Sequence, residues 1–253
     1  MDWQDVAGNS VLIPRRPKGI VHFLGGAFVA AAPQVTYRML LEDLSRRGYL
    51  IIATPFVNTL DHVEIARSVL HSFEQALDRL YATRTIRARY LPIYGVGHSM
   101  GCKLHLLICS LFSVKRAGNI LISFNNFPAR RSIPFLEQFS QLVEVEFTPT
   151  PLETRDLVEA NYPVRRNLIV KFKDDELDQS AMLLDILQGR FAEMVALRVL
   201  NGNHTTPIAQ DINWRAGQSF TPFDAMGQWM RKQVYQDLDR LKQEIGLWLN
   251  PTS

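Results

Sequence analysis

Residues 94–102 read YGVGHSMGC, and Gly97-His98-Ser99-Met100-Gly101 within them fits GxSxG. That pattern presents a serine on a sharp turn between a strand and a helix. The run before it, residues 90–96, is apolar and strand-like. After Ser99 come Cys102, Leu104, Leu106, Leu107, Ile108, Leu111 and Phe112, a helix so apolar that it must be covered on several sides. In such a turn the serine takes a strained backbone conformation, and side chains two positions either side would collide. Gly97 and Gly101 are the residues this geometry needs. The pattern alone decides little, because three such positions match by accident in roughly one chain in ten of this length.

Outward from this stretch, the chain alternates between two textures. Upstream, residues 19–23 form an apolar run ending in Leu24-Gly25-Gly26, followed by Tyr37, Leu40, Leu41 and Leu44 at helical spacing, which Gly48 stops. Residues 49–53, closed by Pro55, lead into Ala66, Val69, Leu70, Phe73, Ala76, Leu77 and Leu80, a long amphipathic helix. Downstream, residues 119–124 (NILISF), 167–172 (NLIVKF) and 195–200 are three further runs. A last helix is capped by Thr221 and opened by Pro222; Phe223, Met226, Met230, Leu238, Leu241, Ile245 and Trp248 form its apolar stripe. At the N-terminus, Val6 and Val11-Leu12-Ile13 flank the turn pair Gly8-Asn9, predicting a short antiparallel hairpin. Strands buried on both faces and alternating with amphipathic helices predict an α/β fold: a mostly parallel central sheet with helices on both faces. Residues 1–253 read as one domain. Residues 127–166, rich in proline and phenylalanine, read as a small lid insertion between two core strands.

In a sheet of this kind the ligand site lies beyond the carboxyl ends of the strands. Ser99 is there. So is the acidic cluster Lys173-Asp174-Asp175-Glu176-Leu177-Asp178 after the fifth run, and Asn201-Gly202-Asn203-His204 after the sixth. An acidic loop is ordinarily a solvated turn or helix cap, and a lone histidine is ordinarily structural. Together they give the chain order serine, acid, histidine at the ends of three different strands, which is the order a nucleophile, an orienting acid and a base take in this architecture. Asp175 is assigned the acid, with Asp174 and Asp178 as alternatives that spacing does not separate, and His204 the base. His62 competes for the base, since Asp61-His62 follows the second run at the same edge, although Asp61 suits a helix N-cap equally well. His22, His71, His98 and His105 read as structural. For a developing oxyanion, the Met100 N–H at a helix N-terminus is one donor, and Gly26 or Ala27 after the first parallel strand is the second. Phe28, Phe56, Asn126, Phe135 and Phe139 are candidate pocket residues. Phe135, Leu136, Phe139 and Leu142 suggest an apolar ceiling and hence an apolar acyl group, or else they anchor the insertion to the core.

Composition narrows the alternatives. Of 253 residues 47% are hydrophobic and 21% charged, which excludes wholesale disorder. The net charge of +3 is spread without any Lys/Arg run longer than a pair, so no nucleic-acid partner is expected. A weak attraction to anionic membrane surfaces fits the charge, as do simple solvated arginines. Cys102 and Cys109 lie two helical turns apart, too far to bridge, and read as reduced buried thiols of a cytoplasmic protein. No stretch reaches eighteen apolar residues, so no transmembrane segment is expected. The chain lacks HExxH, zinc-finger cysteine spacing and the third glycine of a dinucleotide loop after Gly25-Gly26. No metal and no cofactor are expected. The oligomeric state is not written in any of these patterns.

Over essentially its whole length the chain resembles the α/β-hydrolase superfamily, in which GHSMG is a common elbow around the nucleophile. The resemblance implies Ser99 as nucleophile, Asp175 as acid and His204 as base. One departure is Leu24-Gly25 where many members carry His-Gly, which leaves the second oxyanion donor open. More narrowly, FLGGAF from Phe23, ATPFVNTLDH from Ala53, SFNNFPA from Ser123, KDDELDQS from Lys173 and GNHTTP from Gly202 resemble the domain of unknown function 1350 family, which is associated with cyanobacteria and chloroplasts. For a plant-type homologue this implies the chloroplast stroma. The expected function is a serine hydrolase, similar to an esterase, lipase or thioesterase, acting on a small-molecule acyl substrate. The alternatives are a non-catalytic binding protein on the same fold, or an acyltransferase or lyase.

Overall fold

A computed structural model of the chain describes residues 2–88, 90–129, 146–208 and 222–250. Eight strands form one sheet in the order β1-β2-β4-β3-β5-β6-β7-β8. β1 (Gln4–Val6) and β2 (Asn9–Leu12) make the N-terminal hairpin, Ala7 and Gly8 supplying the left-handed turn conformations at φ +51° and +76°. β2 pairs antiparallel with β4 (Tyr49–Ala53). From there the sheet is parallel throughout: β4, β3 (Gly19–Leu24), β5 (Ile93–His98), β6 (Gly118–Ile122), β7 (Asn167–Phe172) and β8 (Val195–Leu200).

The helices cover both faces because strand residues alternate between apolar clusters on the two sides of the sheet. Leu121 and Ile169 face α3 (His62–Ala82), α4 (Met100–Leu111), α5 (Pro151–Asn161) and α6 (Ser180–Phe191). On the other face, Ile120, Ile122, Leu168 and Val170 meet α2 (Arg38–Arg46), which follows the short α1 (Pro33–Thr36), and α7 (Pro222–Leu249). Each fully buried Leu or Ile side chain contributes roughly 1.5–3 kcal/mol. α4 runs against the middle of the sheet, and its residues from Met100 to Cys109 are all buried, as its apolarity requires. Cys102 and Cys109 are buried free thiols on that helix.

Two strands differ from the sequence expectation. β5 begins at Ile93, not residue 90, because Pro92 has no N–H for the ladder; Tyr90 is 93% exposed. It runs on to His98, with Gly97 paired to Leu24 and to Leu121. β6 ends at Ile122 because Ser123 turns the chain with φ +53°. Within residues 127–166, α5 belongs to the core layer: Val158 and Tyr162 are buried in it. Thr221 lies outside the described residues. No helix among the described residues is long and apolar enough to cross a membrane.

Candidate active site

Ser99 sits at the top of β5 as the N-cap of α4, with φ +54° and ψ −119°. A non-glycine residue so placed costs about 1–3 kcal/mol, so its neighbours must hold it there. They do so by two backbone bonds: the Ser99 N–H donates to Ile122 O at 2.9 Å, and the Cys102 N–H donates to Ser99 O at 3.0 Å. A Cβ on Gly97 would lie 2.6 Å from the Gly101 backbone, and one on Gly101 would overlap the Leu24 carbonyl oxygen.

β7 and β8 bring the other two groups to the serine. Beyond the ladder, Lys173 and Asp174 donate their N–H groups to Leu200 O and Gly202 O, tying the two loops together. Asp175 is buried there and both its oxygens lie 3.0 Å from His204 Nδ1. His204 Nε2 lies 3.0 Å from Ser99 Oγ. A carboxylate only accepts, so Nδ1 carries the proton and Nε2 is the acceptor that faces the serine hydroxyl. Burial works against the Asp175 charge, but the bonds from His204 and the Leu177 N–H outweigh it and hold the carboxyl below its ordinary value. The two alternative acids are elsewhere. Asp174 is exposed, and Asp178 accepts from Ser180 N and Oγ at the start of α6 and pairs with Lys171.

His62 does not approach the serine as a base would. It is the first residue of α3, which Asp61 caps by accepting the Glu64 N–H at 2.9 Å, and its ring stacks on Phe147 at 4.2 Å. His98 is wholly buried and linked on both sides: Nδ1 lies 2.8 Å from Tyr37 Oη and Nε2 lies 2.9 Å from His204 O. Tyr37 Oη in turn accepts the Gly26 N–H at 2.8 Å. Gly26 is therefore not a free oxyanion donor, which corrects that expectation. Ala27 lines the cavity beside Ser99, and the Met100 N–H, first in α4, is one that the helix itself cannot use.

The cavity over Ser99 holds about 200 Å³ and is lined by residues including Ala27, Phe28, Asn126, Phe127 and His204. It is small beside the ~300–1,000 Å³ of drug-sized sites. Phe56 is not part of the lining: it packs into the helix-covered core, so its assignment to the pocket is corrected. Phe135 and Phe139 lie outside the described residues. The sequence reading missed Asn125, whose Nδ2 donates to Ser99 Oγ at 3.0 Å, and Lys103, one helical turn beyond the serine. Asn125 stands three residues past β6, where the rule that sites gather at carboxyl ends would have found it. Among the described residues no three His, Cys, Asp or Glu side chains gather as metal ligands.

Sheet order, helix layers and the turn at Ser99 together define an α/β-hydrolase fold. The chain belongs to the family described as "Protein of unknown function (DUF1350)", whose model matches residues 2–251. No curated protein matches the sequence. Solved structures that match are similar in fold at low identity. A soluble variant of monoglyceride lipase from Saccharomyces cerevisiae is 13% identical with TM-score 0.63, covering 99% of this chain and 94% of that one. Carboxyl esterase 2 from Tuber melanosporum is 18% identical with TM-score 0.57, covering 89% and 82%. The fluorophosphonate-binding serine hydrolase F of Staphylococcus aureus is 14% identical with TM-score 0.54, covering 91% of each.

Proposed function

We propose that this protein is a serine hydrolase that cleaves a small acyl ester or thioester through an acyl-enzyme. The observation that carries the reading is the continuous line from Ser99 Oγ through His204 to Asp175, with 3.0 Å at each step. His204 Nε2 takes the Ser99 proton as Oγ attacks the carbonyl carbon, and Asp175 stabilises the imidazolium that forms. The oxyanion accepts from the N–H groups of Met100 and Ala27. His204 then returns the proton to the leaving alcohol or thiol, and water repeats the sequence on the acyl-enzyme. Phe127 and Phe147, both within the proposed lid segment 127–166, line the cavity.

The test is labelling of the purified protein with a fluorophosphonate, with Ser99→Ala and His204→Ala as controls and the modified peptide located by mass spectrometry. Labelling confined to Ser99 and dependent on His204 is the expected result. A folded protein that takes no label at Ser99 would refute the mechanism and leave a binding role on the same fold.

A further inference from the structure

The far wall of the cavity makes chemical demands that an alkyl chain cannot meet. Lys103 follows Ser99 by four residues on α4, so the two lie on one face about 6 Å apart along the axis. Its side chain lines the cavity and is only 2% exposed. Of its three N–H donors, one reaches Pro149 O at 3.1 Å, and the ammonium stands 5.6 Å from the centre of the Phe147 ring. The carboxylates whose charge reaches it, Glu146 and Glu153, are engaged by other donors: Glu146 by the N–H groups of Ala129 and Phe147, Glu153 by Thr150. Neither pairs with Lys103 among the described residues. Beside it His62, 3% exposed, lines the same cavity with both ring nitrogens unpartnered among the described residues. Burial, with Lys103 next, pulls His62 down to about 3, so its ring is neutral and offers one N–H. The Asn58 and Asn126 amide oxygens in this lining, also unpartnered among the described residues, only accept, so they suit an N–H or O–H of the ligand and not its carboxylate. A buried ammonium with one hydrogen bond and no carboxylate partner, beside a buried imidazole with none, is costly, and such groups persist where a ligand completes them.

We propose that Lys103 and His62 form an anion-recognising subsite, and that the acyl group cleaved at Ser99 carries a carboxylate a few carbons from its carbonyl. One cation and one neutral donor match a monoanion, and the small cavity favours a short chain over a long alkyl one. This inference rests on the hydrolase reading for its geometry, yet it makes a claim about binding that stands apart from turnover.

The experiment uses Ser99→Ala protein, which binds without chemistry, and calorimetric titration with monomethyl glutarate against its neutral isostere, the terminal amide methyl 5-amino-5-oxopentanoate. The glutarate half-ester is expected to bind more tightly, and in Ser99→Ala/Lys103→Met the preference is expected to fall by about 30-fold or more. Ser99→Ala/His62→Phe keeps a ring against Phe147 and removes the N–H; it is expected to lose part of the same preference. Equal binding of the two esters, no binding of the half-ester, or a preference that survives both substitutions would overturn the subsite. Half-ester binding in Ser99→Ala beside failure of the wild type to take a fluorophosphonate would uphold the subsite and remove the hydrolase reading instead.

Discussion

The Nε2 of His98 lies 2.9 Å from the carbonyl oxygen of His204, joining the variable position of the GHSMG turn to the loop that carries the imidazole. A carbonyl only accepts, so Nε2 bears the proton and Nδ1 accepts from the Tyr37 hydroxyl, which itself accepts from Gly26. Burial, then the nearby His204, holds His98 down at about 3, so this neutral tautomer persists across the working pH range. The chain Gly26, Tyr37, His98, His204 thus ties the loop after β3 to the loop after β8 beneath the serine.

Removing one link should therefore loosen two loops at once. His98→Leu is expected to destabilise the protein by roughly 2–4 kcal/mol, since it strands the Tyr37 hydroxyl and the His204 carbonyl away from water. At a temperature where both proteins are folded, Ser99 labelling is expected to slow by ~10²-fold, because a displaced imidazole no longer meets Oγ. Urea unfolding and labelling rates check the two halves separately. A variant that loses stability but labels at the wild-type rate would make His98 a purely structural link.

Substitution along the proposed catalytic line should be strongly non-additive. Ser99→Ala and His204→Ala are each expected to lower turnover of an activated ester by ~10³-fold or more, and the double variant should lose little beyond either single one. Asp175→Asn is expected to cost somewhat less, as it leaves the base but in the wrong tautomer. Initial rates with a 4-nitrophenyl ester measure all four proteins.

Lys103 should cost stability, and the cost should depend on pH. Burial pulls its ammonium from 10.5 down to about 7, against the opposing charges of Glu146 and Glu153, with neutral His62 beside it. The unfolded chain then binds the extra proton between about pH 7 and 10, so this group's penalty is full below 7 and fades as pH rises through that window. Lys103→Met is expected to raise stability by roughly 2–4 kcal/mol at pH 6 and by clearly less at pH 9. Chemical denaturation of both proteins at the two pH values checks the sign; a lysine kept only to hold Pro149 would give a loss at both.

Much of this fold is legible in the sequence because the central strands are buried on both faces. Residues 49–53 and 167–172 coincide with β4 and β7, and the half-exposed edge strand β8 coincides with 195–200. Glycines at 97 and 101 and the order serine, acid, histidine mark the residues that meet at Ser99. What the sequence could not resolve is side-chain commitment. Asp175 differs from Asp174 and Asp178 only in which way each loop residue turns, and that depends on the β7–β8 tether. Gly26 is withdrawn as a donor by Tyr37, eleven residues on and across a helix entry. Lys103 reads as an ordinary helix cation until α4 is seen to be buried on every side.

The glycine after the elbow offers a sharp steric prediction. A Cβ on Gly101 would overlap the Leu24 carbonyl oxygen, and since both partners are backbone no rotamer change relieves it. Gly101→Ala is expected to cost about 1–3 kcal/mol or more and to push α4 away from β3. Thermal unfolding measures the loss, and Ser99 labelling should fall with it as the turn opens.

Asn125 reaches Ser99 Oγ itself, and its sign can be reversed without changing its size. Its Nδ2 donates to Ser99 Oγ at 3.0 Å while His204 Nε2 lies at 3.0 Å on the same oxygen. The hydroxyl therefore accepts from Asn125 and donates to His204, a direction that favours loss of its proton to the base. Asn125→Ala removes the donor, so a drop in labelling of about tenfold is expected. Asn125→Asp replaces it with an acceptor that competes with His204 for the hydroxyl proton and sets a negative charge where the oxyanion would grow. That variant is expected to fall by ~10²–10³-fold. It should recover toward the alanine level as pH falls through the introduced carboxyl's titration, which a merely structural asparagine would not show. The ratio of the two variants' labelling rates, followed from about pH 8 down to about pH 4, where an ordinary aspartate titrates, decides between them.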